Sequence, residues 1–153
     1  MSISKERIDL CKYRMEKAFE RLEAAKILLE SSLWNDAINR SYYAIFTAAR
    51  SLLALFGLDS RKHSGVISLF NRCFIKTDIL PKNLSKIITS AKEGRESSDY
   101  ADFIEHTQEE AQTQYEEARN FLETVQTLTD KIIKNKIALN FDEIAISKVR
   151  KGD

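Results

Sequence analysis

An all-α fold is what this sequence predicts: an up-and-down helical bundle of about five helices followed by a short C-terminal extension. Three observations predict it. The 153 residues hold four Gly and one Pro, far too few for a β-rich or loop-rich chain, which needs turn residues repeatedly. Apolar residues recur at three- and four-residue steps through most of the chain, the period of a helix buried on one face. The breaks between these runs are short, which favours antiparallel neighbours. The length is that of one domain able to bury a core without staples, with the bundle over residues 1–134 and the extension over 135–153.

The first helix is expected over residues 4–31, where Met15, Ala18, Phe19, Leu22, Ala25 and Leu29 form the apolar stripe. "SSLWND" interrupts it, and Asn35 or Asp36 can cap a second helix over 36–56. That helix is the most apolar element, with Ile38, Tyr42, Ile45, Ala49, Leu52 and Phe56 in one stripe and Ala44, Ala48 and Leu55 widening it. So wide a face suggests burial on two sides, by the bundle and by a second subunit. Gly57 suits the left-handed residue that ends a helix.

After the loop "LDSRKHSG", a shorter helix is expected over 63–74 on Val66, Ile67, Phe70 and Phe74. Pro81 suits the first position of a fourth helix, which carries Leu84, Ile87, Ile88 and Ala91 toward Arg95. Thr107 and Glu110 have the spacing of a capping box, which would open a last helix running to about Lys134. The remaining "NKIALNFDEIAISKVRKGD" holds apolar residues enough for a short sixth helix.

Composition narrows the function. Lys plus Arg number 24 against 23 Asp plus Glu, a net charge of +1, so nucleic-acid binding would rest on a local patch rather than a basic surface. Cys11 and Cys73 are isolated and only two His are present, so neither a structural metal site nor a cofactor motif is spelled out. Two lone cysteines fit small buried residues of a reducing compartment. The N-terminal stretch is charged throughout, unlike a signal peptide. The most apolar segment, "AIFTAARSLLALFGL", carries Arg50 and is too short to span a bilayer. A soluble, cytoplasmic protein without membrane contact is expected.

Three stretches could carry chemistry. "GRESSDYADF" gathers Arg95, Glu96, Asp99, Tyr100 and Asp102 where a helix runs out. If the helix persists to Tyr100, then Arg95 with Asp99, and Glu96 with Tyr100, are i,i+4 neighbours. A solvated ion pair worth roughly 0.3–0.5 kcal/mol is the plain alternative to a site. In the second helix Asn39, Arg40 and Tyr43 form the more polar side, and Arg40 offers the fixed charge and bidentate geometry that suit phosphate. Tyr42 and Tyr43 could equally be core or interface aromatics. "RKHSG" sets three cationic side chains, His63 among them, near a helix start that could attract an anion.

Taken together, "AINRSYYAIFTAARSLL", "RKHSGVISLFNRCF" and "GRESSDYADF" followed by "EEAQTQYEEARNFLETV" resemble the HEPN family, and more narrowly its small stand-alone prokaryotic members. The resemblance spans roughly residues 5–130 and rests on three motifs in order. It implies a homodimer with a polar cleft between subunits, and a minimal nucleotidyltransferase protein as partner in a toxin–antitoxin or defence-like module. Active members of the family are metal-independent endoribonucleases whose signature is an arginine and a histidine with four to six residues between them. Arg95 matches the arginine and Glu96 the polar residue after it, but Tyr100, Ala101 and Asp102 stand where the histidine belongs. By the same resemblance, Tyr100 is the tyrosine to which such a transferase would add AMP.

The missing histidine matters chemically. Metal-free RNA cleavage needs a base and an acid with pKa values near the working pH, and an Asp near 3.9 or a Tyr near 10 is a poor substitute for a His near 6.5. The expected site therefore binds RNA or nucleotide through Asn39, Arg40, Tyr43, His63, Arg95 and Glu96, with Arg95, Asp99 and Tyr100 as the candidate catalytic set. A ribonuclease with a variant site and a non-catalytic helical interaction module stand as alternatives.

Overall fold

The computed structural model describes residues 3–100 and 104–134, with side chains for all of these but residues 98–100. Five α-helices follow in chain order: α1 Lys5–Glu30, α2 Trp34–Ala54, α3 His63–Phe70, α4 Asn83–Tyr100 and α5 Gln108–Ile133. A π-helical turn, Asn71–Ile75, continues α3. Among the described residues there is no strand, so the fold class is the all-α bundle that the composition implies. No described helix is long and apolar enough to cross a membrane.

Each boundary has a local cause. Ser4 caps α1, its side chain accepting from Arg7 N–H at 3.3 Å. The box at α5 forms in full: Thr107 accepts from Glu110 N–H, and the Glu110 carboxylate accepts from Thr107 N–H. Gly57 has φ +69°, the left-handed region that reverses the chain after α2.

Two expected helix starts move. α2 begins at Trp34 with Leu33 as N-cap and no side-chain cap, because Asn35 is used elsewhere: its amide donates to Ile104 O at 3.0 Å and its Oδ1 accepts from His106 N–H at 2.9 Å. Pro81 lies just before α4 rather than in it, though its carbonyl accepts from Leu84 N–H at 3.2 Å. The expected helix over 63–74 is present but changes character at Asn71, where Lys76 N–H bonds back five residues to Asn71 O at 2.9 Å.

α2 is the axis of the bundle. It packs on α1 above all, then on α5, α4 and α3. Thirteen of its residues are buried, Tyr42, Ile45, Leu52 and Leu53 completely. The bundle is the cover expected of it: neighbours within the same chain bury the wide apolar face of α2, so its width alone does not call for a second subunit. The main core runs from Cys11 and Met15 of α1 through α2 to Phe70, Phe74, Ile88, Phe121 and Leu122. A smaller cluster of Leu29, Ala37, Ile38 and Ala111 closes the end where α1, α2 and α5 meet. Both cysteines are buried and unbridged, and burial pushes the Cys11 thiol up to about 12. The expected extension over 135–153, with its sixth helix, lies outside the described residues.

Candidate functional site

The site grows from one face of α2. Asn39, Tyr42, Tyr43, Phe46 and Arg50 recur at helical steps, so a single face lines up two phenols, a ring and a cation. Tyr42 is fully buried, stacks on Phe46 at 5.8 Å between ring centroids, and meets Tyr43 edge-on at 5.3 Å. Burial pushes the Tyr42 hydroxyl up to about 12, against the pull of the Arg95 charge. It is therefore a neutral phenol at any physiological pH.

α4 brings Arg95 to this strip. Arg95 Nη2 donates to Tyr43 Oη at 3.0 Å, and the guanidinium carbon lies 5.5 Å from the centre of the Tyr43 ring and 5.8 Å from that of Tyr42, within cation–π range. Gly94 makes the approach possible: a Cβ there would sit 3.2 Å from Ile38 Cγ2, so a side chain would hold α4 away from α2 just before the arginine.

α3 brings His63, its first residue, to the other side of the same tyrosines. His63 Nδ1 and Tyr42 Oη share a hydrogen bond of 2.8 Å. The imidazole lies on Phe46 with centroids 4.1 Å apart and stands edge-on to Tyr43 at 6.2 Å. Burial holds its pKa below the ordinary value, helped by the charges of Arg95, Lys92 and Arg50. The ring is neutral at neutral pH, with Nδ1 engaged and Nε2 left for a ligand. Thus a histidine absent from the positions after Arg95 reaches that region from another helix.

Other expected residues are placed differently. Glu96 is exposed and pairs with Lys92 at 3.8 Å, one helical turn back, the arrangement of a solvated surface pair. Arg40 is exposed one turn before Tyr43. Asn39, on the tyrosine face, keeps a buried Oδ1 with no hydrogen-bond partner. Expectations for the side chains of Asp99 and Tyr100, and for Asp102, fall outside the described part. Among the described residues no group of three or more His, Cys, Asp or Glu could hold a metal ion.

The sequence reading missed a second network nearby. Ser97 Oγ and His106 Nε2 are 2.9 Å apart, and His106 Nδ1 and Glu110 Oε2 are also 2.9 Å apart. With Asn35 holding the backbone at Ile104 and His106, this ties the end of α4 to the starts of α2 and α5. The only sequence signal was the box at Thr107 and Glu110, which gives no hint that Glu110 serves two partners.

In chemical terms, a fixed guanidinium, a neutral imidazole and two phenol hydroxyls converge on one strip. Such a set can bind a phosphate and hydrogen-bond a sugar. A neutral histidine can also move a proton near pH 7.

The fold and these motifs define a class: a HEPN domain profile matches residues 11–128. The chain belongs to the HEPN domain family. It is 35% identical over 125 residues to a UPF0332 protein of Thermotoga maritima, covering 82% of this chain and 95% of that protein. It is 37% identical over 119 residues to a Methanocaldococcus jannaschii protein that carries the provisional name of toxin, covering 78% and 88% respectively. A second protein of that archaeon with the same kind of name is 38% identical over 98 residues, 64% of this chain and 67% of its own length. The relatives are thus small prokaryotic proteins, some of them named as toxins.

Proposed function

We propose that this chain is the toxin-like member of a two-protein module, a homodimer that binds RNA or nucleotide at the Arg95–Tyr43–His63 strip and works with a minimal nucleotidyltransferase protein. One observation carries the reading. Arg95 and His63 come from different helices and flank the same pair of tyrosines. The toxin names of the relatives and the family membership support the module, and the family resemblance supports the dimer. The test is binding of a fluorescent single-stranded RNA in chelator. Arg95→Ala should weaken it about tenfold or more, since a hydrogen bond from a charged group carries roughly 1.5–3 kcal/mol. Unchanged affinity in a folded Arg95→Ala protein would sink the proposal.

His63 favours a second reading, a metal-independent ribonuclease with a variant site. A neutral imidazole beside a fixed arginine is the group that the motif lacks in sequence, and positioned proton transfer is worth about 10²–10⁴-fold. Cleavage of RNA in chelator that His63→Gln abolishes while binding persists would support it, and intact RNA after long incubation with wild type would reject it.

Tyr100 is the proposed point of control by the partner, through addition of AMP. The added phosphate would place negative charge near Arg95 and compete with a bound phosphate. Intact-mass measurement after co-expression with the transferase tests this. An AMP-sized increment that disappears in Tyr100→Phe is expected, and an unmodified wild-type chain would refute it.

A further inference from the structure

His63 borders a second space. The imidazole, with Phe46, Arg50, Asp59, Ser60 and Arg61, lines a cavity of about 460 Å³ that neither Arg95 nor Tyr43 enters. That volume falls in the range of small-ligand sites, about 300–1,000 Å³.

The cavity is cationic by construction. Arg50 clamps Asp59 with both ends of its guanidinium, Nε to Oδ1 at 3.2 Å and Nη2 to Oδ2 at 2.8 Å. Arg14 takes the same carboxylate at 3.3 Å, and Ser60 N–H donates to it at 2.8 Å. Asp59 is thus saturated by two guanidiniums, and the cluster keeps a net positive charge before Arg61 is counted. Arg61 is exposed at the rim. The other wall is formed by the rings of Phe46 and His63, tilted at 30° with centroids 4.1 Å apart. A fixed cation, an exposed cation and a ring surface are the parts from which proteins make tracks for single-stranded nucleic acid.

The two cationic centres lie on either side of one histidine. A mononucleotide offers phosphate to only one of them. In RNA the ribose between successive phosphates carries the 2′-hydroxyl, and His63 has one ring nitrogen left after Tyr42 has taken the other. A duplex would present stacked bases and could not fill the cavity, whereas an unpaired strand can turn one base aside.

We infer that this cavity is the subsite for the next nucleotide of a single-stranded RNA, with Arg61 and Arg50 on its phosphate, when the preceding phosphate lies at Arg95 and Tyr43. The inference rests on the proposed binding role of Arg95 and deepens it: the ligand is a strand of RNA, and its ribose lies against His63.

The test uses a fluorescent ten-residue oligouridylate, its thymidylate counterpart as the DNA control, and UMP as competitor. Arg61→Ala should weaken oligouridylate binding about tenfold, and Arg61→Glu should weaken it further. Neither should change the UMP competition constant, whereas Arg95→Ala should raise both. Loss of one phosphate contact should also reduce the slope of log affinity against log salt by about 0.7. Lys26→Ala, an exposed cation on α1, should leave binding unchanged. Oligouridylate affinity unaltered by both Arg61 variants would overturn the subsite while Arg95 kept its role. An equal loss in Lys26→Ala would reduce the effect to diffuse charge and overturn it as well. Equal binding of the thymidylate strand would remove the ribose contact from the inference. A wild-type protein that binds neither strand nor UMP would remove the Arg95 reading itself.

Discussion

Arg95 Nη2 donates to Tyr43 Oη at 3.0 Å, although 52 positions separate the two residues. The contact crosses from the last turns of α4 to the middle of α2 and fixes the direction of a charge that would otherwise swing in solvent. A preplaced guanidinium loses less freedom on meeting a phosphate.

Tyr43→Phe keeps the ring and removes the acceptor, so it isolates that preplacement. A hydrogen bond made by a charged group is worth about 1.5–3 kcal/mol net of its exchange with water. RNA affinity should fall about tenfold by fluorescence anisotropy, with the melting temperature lowered by only a few degrees. An affinity equal to wild type would show that the ring alone holds Arg95.

His63 makes stability depend on pH in a definite direction. Burial, then the charges of Arg95, Lys92 and Arg50, weakens proton binding in the folded chain. Between the folded value and the unfolded value near 6.5, the unfolded chain therefore carries more protons. Stability rises with pH through that window, and the contribution is lost as pH falls below about 6.5. Urea midpoints at pH 5, 6 and 7 should show a shallower slope in His63→Gln than in wild type. The opposite change in slope would contradict the placement of the ring.

Gly94→Ala sets two effects against each other. Alanine gains about 0.4–1 kcal/mol in a helix by restricting the unfolded chain, but its Cβ would press on Ile38 Cγ2 at 3.2 Å. Ile38 is 2% exposed and has little room to give, and overpacking costs about 1–3 kcal/mol. A net loss near 1 kcal/mol is expected by urea denaturation, together with weaker RNA binding. Ile38→Leu, which removes that methyl, should recover part of both in the double variant. A stabilised single variant with normal binding would mean that the helices can separate freely.

A homodimer should sediment at about twice the 17.6 kDa of the chain at micromolar concentration. A monomer at that concentration would confine the site to one chain.

The helices were legible because their apolar residues keep a helical period over many turns. The caps at Thr107 and Gly57 were legible because each depends on residues within one turn. The start of α2 was not, since Asn35 leaves the helix end to hold Ile104 and His106, a partner choice made 69 and 71 positions away. The breadth of the α2 face was read correctly as burial by the bundle, and the second subunit invoked beside it was not needed, because periodicity counts buried faces without naming what buries them. Arg95, Tyr43 and His63 each stood out by type. Their meeting did not, because it depends on how α2, α3 and α4 cross, which no local pattern encodes. Glu96 looked like a site residue from its position after Arg95, yet the helix turns it back toward Lys92.

The burial of α2 on four sides also governs how the site can come apart. Helices that open to solvent only when the whole molecule unfolds exchange their amide protons most slowly, and α2, packed against α1, α3, α4 and α5, is the helix of that kind here. Tyr42 and Tyr43 should thus be anchored in the slowest-exchanging of the described helices. The tyrosine strip would keep its shape through the smaller fluctuations that free a loop or a terminus, and a ligand would find it already formed.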